Sequence, residues 1–246
     1  MTIPRVIVTR RWPEEVETRL MEIFDTELNF NDHPMSMTDL QNALCSADAV
    51  LLTVCDQITA DVLNTEPMRT KILGNFGVGF NHIDLDAAKS AGLMVTNTPE
   101  VLTDCTADLA MTLLLMVARR TGEGERQIRK NLWSGWRPTH MMATRATGKT
   151  LGLIGMGRIA RAVARRAVGG FGMRILFHDP VPPKEEDIKG LNATSCSTSQ
   201  EVFANSDFVS LHCPGGKSTY HLIGAKEFAV MRPGAFLINT ARGDVV

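Results

Sequence analysis

Leu151-Gly152-Leu153-Ile154-Gly155-Met156-Gly157-Arg158-Ile159-Ala160, with the second apolar run that closes on Asp179, is the stretch that decides the fold. An apolar run, a glycine turn opening a helical segment and a further run ending in an acid read as strand, helix and strand of a doubly wound parallel sheet. Each residue type has a task there. Gly155 permits the tight turn, Gly157 lets a pyrophosphate come up to the backbone, and Ala160 is small enough for the helix to pack on its strand. Backbone N–H groups and the dipole at the helix start then face the anion. Asp179, nineteen residues beyond Ala160, is placed to accept hydrogen bonds from ribose hydroxyls and to repel a 2′-phosphate. The expected cofactor is therefore NAD rather than NADP. Methyltransferases and other doubly wound proteins use similar turns, but the flanking strands and the acid single out a dinucleotide.

With 246 residues, 44% hydrophobic and 22% charged, the chain has the composition of a globular protein and length enough for two domains. A formal net charge of -1 offers no basic field for nucleic acid, and no stretch is apolar enough to cross a bilayer. The N-terminus carries Arg5, Arg10 and Arg11 around a short apolar run, Val6-Ile7-Val8, which reads as a first strand rather than a signal peptide, so a cytoplasmic location is expected. Cys45, Cys55, Cys105, Cys196 and Cys213 are scattered, without the paired spacing of a zinc or redox site, and no metal is expected.

Working outward, strands are expected at 5–9, 49–54, 71–76 and 93–97, a weaker one near 27–30, and helices at 14–23, 38–44 and 85–91. Ser36 and Asp39 form a capping-box pattern, and Gly92 stands where a helix-ending glycine belongs. Residues 103–130 read as one long buried helix and 133–147 as a loop. A second α/β unit follows, with strands near 151, 173, 192, 207 and 235. Two lookalikes drop out. Gly148-Lys149-Thr150 lacks the glycine at position 143 that a phosphate loop needs and leads into a strand instead of following one, and Asn192-Ala193-Thr194 is a sequon with nothing to support secretion.

Three further segments carry chemistry. Phe76-Gly77-Val78-Gly79-Phe80-Asn81-His82-Ile83-Asp84 follows a strand, and its N–H groups could form an anion nest. Ser210-Leu211-His212-Cys213-Pro214 ends a strand at the sheet edge where ligands lie. Asn239-Thr240-Ala241-Arg242-Gly243 runs a strand into an arginine suited to a bidentate carboxylate bond.

Together with Val95-Thr96-Asn97-Thr98-Pro99 and Thr106-Ala107-Asp108-Leu109-Ala110, these landmarks make the whole chain resemble the D-isomer-specific 2-hydroxyacid dehydrogenases, in the glyoxylate and hydroxypyruvate reductase (D-glycerate dehydrogenase) branch. The resemblance implies a flavodoxin-like substrate domain at 1–99 and a Rossmann NAD domain at 100–246, both incomplete at the C-terminal side. It implies that the main chain of Val78 and Gly79 holds the substrate carboxylate and that Arg242 binds carboxylate and carbonyl oxygen. It also implies that Thr106, Gly155, Gly157, Arg158, Ile159, Asp179, Cys213, Thr240, Ala241 and Arg242 meet the dinucleotide. The reaction would be hydride transfer to C2 of a small 2-oxo acid, and the assembly a homodimer formed through the second unit and the long helix.

The family's proton donor is a C-terminal histidine kept charged by a glutamate, and neither has a counterpart before Val246. The chain is therefore expected to be truncated and inactive alone, with its last strand, 235–238, left as an apolar edge prone to aggregation. Of the histidines present, His82 is expected to order the substrate loop, His212 and His178 lie near the cofactor, His140 sits in a loop that could reach a partner, and His33 and His221 are expected at the surface. The competing reading is a cofactor-binding, dimerising module without turnover.

Overall fold

The computed structural model describes residues 2–246. Two compact units divide the chain, Met1–Val101 and Leu102–Val246.

The first unit holds β1 (Arg5–Val8), α1 (Glu14–Ile23), β2 (Asp25–Leu28), α2 (Met37–Ser46), β3 (Ala49–Thr53), α3 (Ala60–Leu63), β4 (Ile72–Phe76), α4 (Leu85–Ser90) and β5 (Met94–Thr96). Its sheet is all parallel, in the order β2-β1-β3-β4-β5. From β2 onward every step goes the same way across the sheet, so right-handed crossovers place α2, α3 and α4 on one face. The core agrees with this, because Leu40, Ala43 and Leu44 of α2, Val62 and Leu63 of α3 and Ala88 of α4 cluster with Val50, Leu52 and Leu73. On the opposite face Ile72, Phe76 and Met94 stay exposed.

Local signals act as expected at both ends of helices. Ser36 Oγ accepts the Asp39 N–H at 3.2 Å, and Asp39 Oδ2 accepts the Ser36 N–H at 3.0 Å, closing the capping box of α2. After α4, Gly92 takes φ +72° and Leu93 N–H returns to the Ala88 carbonyl at 2.9 Å.

The second unit begins with α5 (Thr103–Ala118) and α6 (Thr121–Arg129). One helix was expected over this span, and the structure corrects it to two. Arg120 adopts the left-handed conformation at φ 55°, and Gly122 and Gly124 weaken helix formation just beyond it. Only α5 is buried, through Ala107, Ala110, Met111, Leu114 and Ala118; α6 has no buried residue. Residues 130–149 contain no strand or helix.

Then come β6 (Thr150–Ile154), α7 (Arg158–Phe171), β7 (Arg174–His178), α8 (Glu185–Ile188), β8 (Ala193–Ser195), α9 (Ser199–Asn205), β9 (Phe208–Leu211), α10 (Ala225–Val230), β10 (Phe236–Asn239) and a closing 3-10 turn, Gly243–Val245. The parallel order is β10-β9-β6-β7-β8, so the direction of winding reverses between β6 and β9. Leu151 and Leu153 face α5 and α7, while Ile154, Val209 and Leu211 pack with Val202 and Phe203 of α9. Small buried residues, Ala107 and Ala110 on α5 with Ala160, Ala164 and Ala167 on α7, sit in the same core. Arg166 braces the two helices by bonding Asp108 at 2.6 Å and Asp104 at 3.0 Å. Strand β10 is outermost and among the described residues pairs only with β9, but its side chains are not bare. Phe236 stacks on Phe208 with centroids 5.2 Å apart, and Ile238 is buried among the α5 and α7 residues.

Candidate active-site residues

The reversal between β6 and β9 opens a crevice at the carboxyl edge of the second sheet, which is where ligands bind in such folds. Gly155 leaves β6 there with φ +89°. A Cβ on it would lie 2.9 Å from the His212 carbonyl oxygen and 3.1 Å from the Cys213 nitrogen, so conformation and space both demand glycine. Gly157 is different. Its φ is -70°, it caps α7 without a side-chain bond, and a Cβ on it would meet nothing within 4 Å. Open space thus stands in front of the helix start, where the N–H groups of Gly157 and Ile159 have no acceptor among the described residues. This is the arrangement a pyrophosphate fits, with Arg158 exposed and Ile159 half-buried beside it and Ala160 fully buried behind.

Asp179 follows β7 next to this turn. Its Oδ2 accepts the Met156 N–H at 2.7 Å and its Oδ1 the Val181 N–H at 2.8 Å, which anchors the carboxylate to the glycine turn. Cys213 follows β9, half-buried, and burial raises its thiol pKa. Thr240, Ala241 and Arg242 follow β10, two strands from β6 on the side away from Asp179. The Thr240 hydroxyl is buried without a hydrogen-bond partner, an orphan that a bound group could satisfy. The Arg242 guanidinium bonds only the neighbouring Ala241 carbonyl, at 2.9 Å, and forms no ion pair among the described residues. Asn239 shapes this corner by accepting the Ala241 N–H at 2.9 Å and donating to the Arg242 carbonyl at 2.8 Å. Thr106 lies half-buried in the first turn of α5, and no hydrogen bond of its side chain ties it to the glycine turn.

In the first unit, the loop after β4 is held by two asparagines that the sequence analysis did not single out. The Asn75 amide donates to the carbonyls of Gly77 at 3.1 Å and Gly79 at 2.9 Å, and Asn97 donates to the Val78 carbonyl at 2.9 Å. His82 Nε2 lies 3.0 Å from Asn75 Oδ1. The N–H groups of Val78, Gly79 and Phe80 have no acceptor among the described residues. An internal signal existed in the spacing Asn75…His82, but no periodicity marks a side chain that folds back onto its own loop.

Four other histidines have partners of their own. His178 Nδ1 meets the Cys196 carbonyl at 3.1 Å, His140 meets Arg137 at 3.0 Å, and His221 stacks on Tyr220. His212 Nε2 lies 3.0 Å from Ser210 Oγ, and burial pulls its pKa down to about 4, so it is neutral at pH 7. No group of three potential metal ligands exists among the described residues, and none of their helices is long and apolar enough to cross a membrane.

Residues 111–246 match the family model described as D-isomer specific 2-hydroxyacid dehydrogenase, NAD binding domain. The chain belongs to this family. It is 40% identical over 244 residues to a glyoxylate reductase of Korarchaeum cryptofilum, covering 99% of this chain and 72% of that protein. It is 34% identical over 246 residues to a glycerate dehydrogenase of Hyphomicrobium methylovorum, covering 100% of this chain and 76% of the relative. Among solved structures, D-lactate dehydrogenase of Aquifex aeolicus, complexed with NAD and lactic acid, superposes with a TM-score of 0.82 at 31% identity, over 98% of this chain and 70% of that one. This 2-hydroxyacid dehydrogenase is thus an NAD-dependent oxidoreductase acting on the hydroxyl-bearing carbon of 2-hydroxy acids.

Proposed function

We propose that this dehydrogenase reduces glyoxylate or hydroxypyruvate, giving glycolate or D-glycerate, with residues 1–99 binding substrate and 100–246 binding NAD. The names of its relatives support the substrate class, and the uncapped start of α7 beside the anchored Asp179 is the observation that carries the cofactor assignment. When bound, NADH supplies the hydride. The N–H groups of Gly157 and Ile159, with Arg158, hold the pyrophosphate; Asp179 holds the ribose hydroxyls and disfavours a 2′-phosphate. Thr106, Cys213, Thr240 and Ala241 line the rest of the cofactor path, the Thr240 hydroxyl gaining the partner it lacks.

On the substrate, the amides of Val78 and Gly79 hold the carboxylate. Arg242 polarises the carbonyl and neutralises the charge that develops on its oxygen, an effect strengthened where water is excluded. The alkoxide then needs a proton. We assign none of the described histidines to that step: His212 is neutral, His33 is exposed in the segment after β2, and His82, His140, His178 and His221 are engaged as described above. The protein acts as a homodimer in the cytoplasm; five cysteines without a disulfide and an apolar surface on α5 and α6 support this.

The test is NADH titration followed by turnover with glyoxylate and hydroxypyruvate. Oxidation of NADH by the protein at its relatives' length, loss of that turnover in Arg242→Ala, and weaker binding of NADPH than NADH are expected. Stoichiometric NADH binding by that longer protein with no turnover on any small 2-oxo acid would replace this reading by that of a non-catalytic cofactor-binding module.

A further inference from the structure

We infer that Asn75 is the positioning residue of the substrate loop: its buried side chain turns the peptides on either side of Val78-Gly79 so that their N–H groups face the carboxylate. The inference rests on the substrate reading above and adds the group that makes the loop's amides available. In a trans peptide the C=O and the N–H point in opposite directions, so whatever captures the carbonyl aims the amide. Asn75 captures the carbonyls of Gly77 and Gly79, and Asn97 captures that of Val78 between them. Three consecutive peptide planes are fixed in this way. The three amides they carry, those of Val78, Gly79 and Phe80, have no acceptor among the described residues. The Gly77 carbonyl is held a second time by the Thr98 N–H at 3.1 Å.

The orientation of Asn75 is itself determined. Its NH2 group is committed to two carbonyls, so the atom facing His82 is the carbonyl oxygen, and His82 Nε2 must carry the proton that bonds it at 3.0 Å. Asn75 is 2% exposed and His82 6% exposed, so water does not compete for these bonds. A flipped amide would set NH2 against a donor and oxygen against two carbonyls. The His82–Asn75 pair thereby excludes the loop conformation in which carbonyls, rather than amides, meet the substrate.

The experiment is NMR on the 15N-labelled full chain with NADH, using oxamate as an unreactive 2-oxo acid analogue. In the wild type, oxamate should shift the Val78 and Gly79 amides saturably, and the imidazole spectrum should show His82 in the Nε2–H form. In Asn75→Ala the oxamate Kd should rise at least tenfold while the NADH Kd stays within twofold, and residual dipolar couplings should report reoriented N–H vectors at 78–80. His82→Gln, which keeps a donor, should retain most oxamate affinity; His82→Leu should not, and this pair serves if Asn75→Ala fails to fold. Unchanged dipolar couplings in folded Asn75→Ala, wild-type oxamate affinity in that variant or in His82→Leu, or an Nδ1–H tautomer would overturn the inference. Failure of the wild type to bind oxamate would instead remove the substrate reading, with the couplings still deciding what Asn75 does to the loop.

Discussion

Two glycines two positions apart do unlike work, and a single methyl group tells them apart. At Gly155 an alanine side chain would meet the His212 carbonyl at 2.9 Å on a backbone at φ +89°, so Gly155→Ala should destabilise the second unit by about 1–3 kcal/mol and weaken NADH binding with it. Gly157→Ala meets nothing in the protein, so its Tm should stay within about 1 °C of wild type while its NADH Kd rises tenfold or more. Equal Tm losses in the two variants, read by calorimetry, would count against this division of labour. His212 makes a second residue-level prediction. Burial lowers its pKa to about 4, against about 6.5 in the unfolded chain, so between those values the unfolded state binds a proton the fold does not. The stabilisation is complete above pH 6.5 and lost as the pH falls toward 4. Urea melts should therefore show about 2 kcal/mol less stability from this group at pH 5 than at pH 7.5, a loss that His212→Asn should not share.

Helices and strands follow their sequence signals where short-range chemistry sets the outcome. The α2 capping box is such a case: Ser36→Ala removes one of the two reciprocal bonds and should lower Tm by about 2–4 °C, measured by circular dichroism. Gly92 ends α4 for the same local reason, its positive φ. The span 103–130 fails as a single helix because apolar content does not register a left-handed residue such as Arg120, and two glycines behind it remove the penalty for stopping. The short α3, α8 and α10 carry too few turns for periodicity to show, and they form because the sheet they pack against is already there. The expectation of an apolar edge strand at 235–238 matches the place of β10 at the end of its sheet. The side chains of β10 are packed and only its backbone edge is open, since α5, distant in sequence, supplies the cover.

For the molecule as a whole, the α5–α6 region presents apolar side chains to solvent at Leu109, Met116, Ile128, Trp133 and Trp136, the last 82% exposed. Leu109 and Met116 stand seven residues apart on one helical face, so both join the same surface. An interface there predicts that Leu109→Glu with Met116→Glu converts a dimer to a monomer in sedimentation velocity, with the NADH Kd within twofold of wild type. A wild-type monomer at micromolar concentration would remove the basis for the prediction.

Strand periodicity, the caps and the spacing from Gly155 to Asp179 were legible in the sequence because each depends on neighbours within about thirty residues, and they determined two parallel α/β units and a dinucleotide turn. The tertiary structure alone decided which groups those turns meet. That the His212 carbonyl forbids a side chain at 155, that Asp179 is tethered to Met156, and that Asn97 holds the Val78 carbonyl are contacts between segments brought together by strand order. Sequence spacing cannot express such contacts, because a buried polar atom finds its partner by distance in space, and that distance exists only once the sheet has formed.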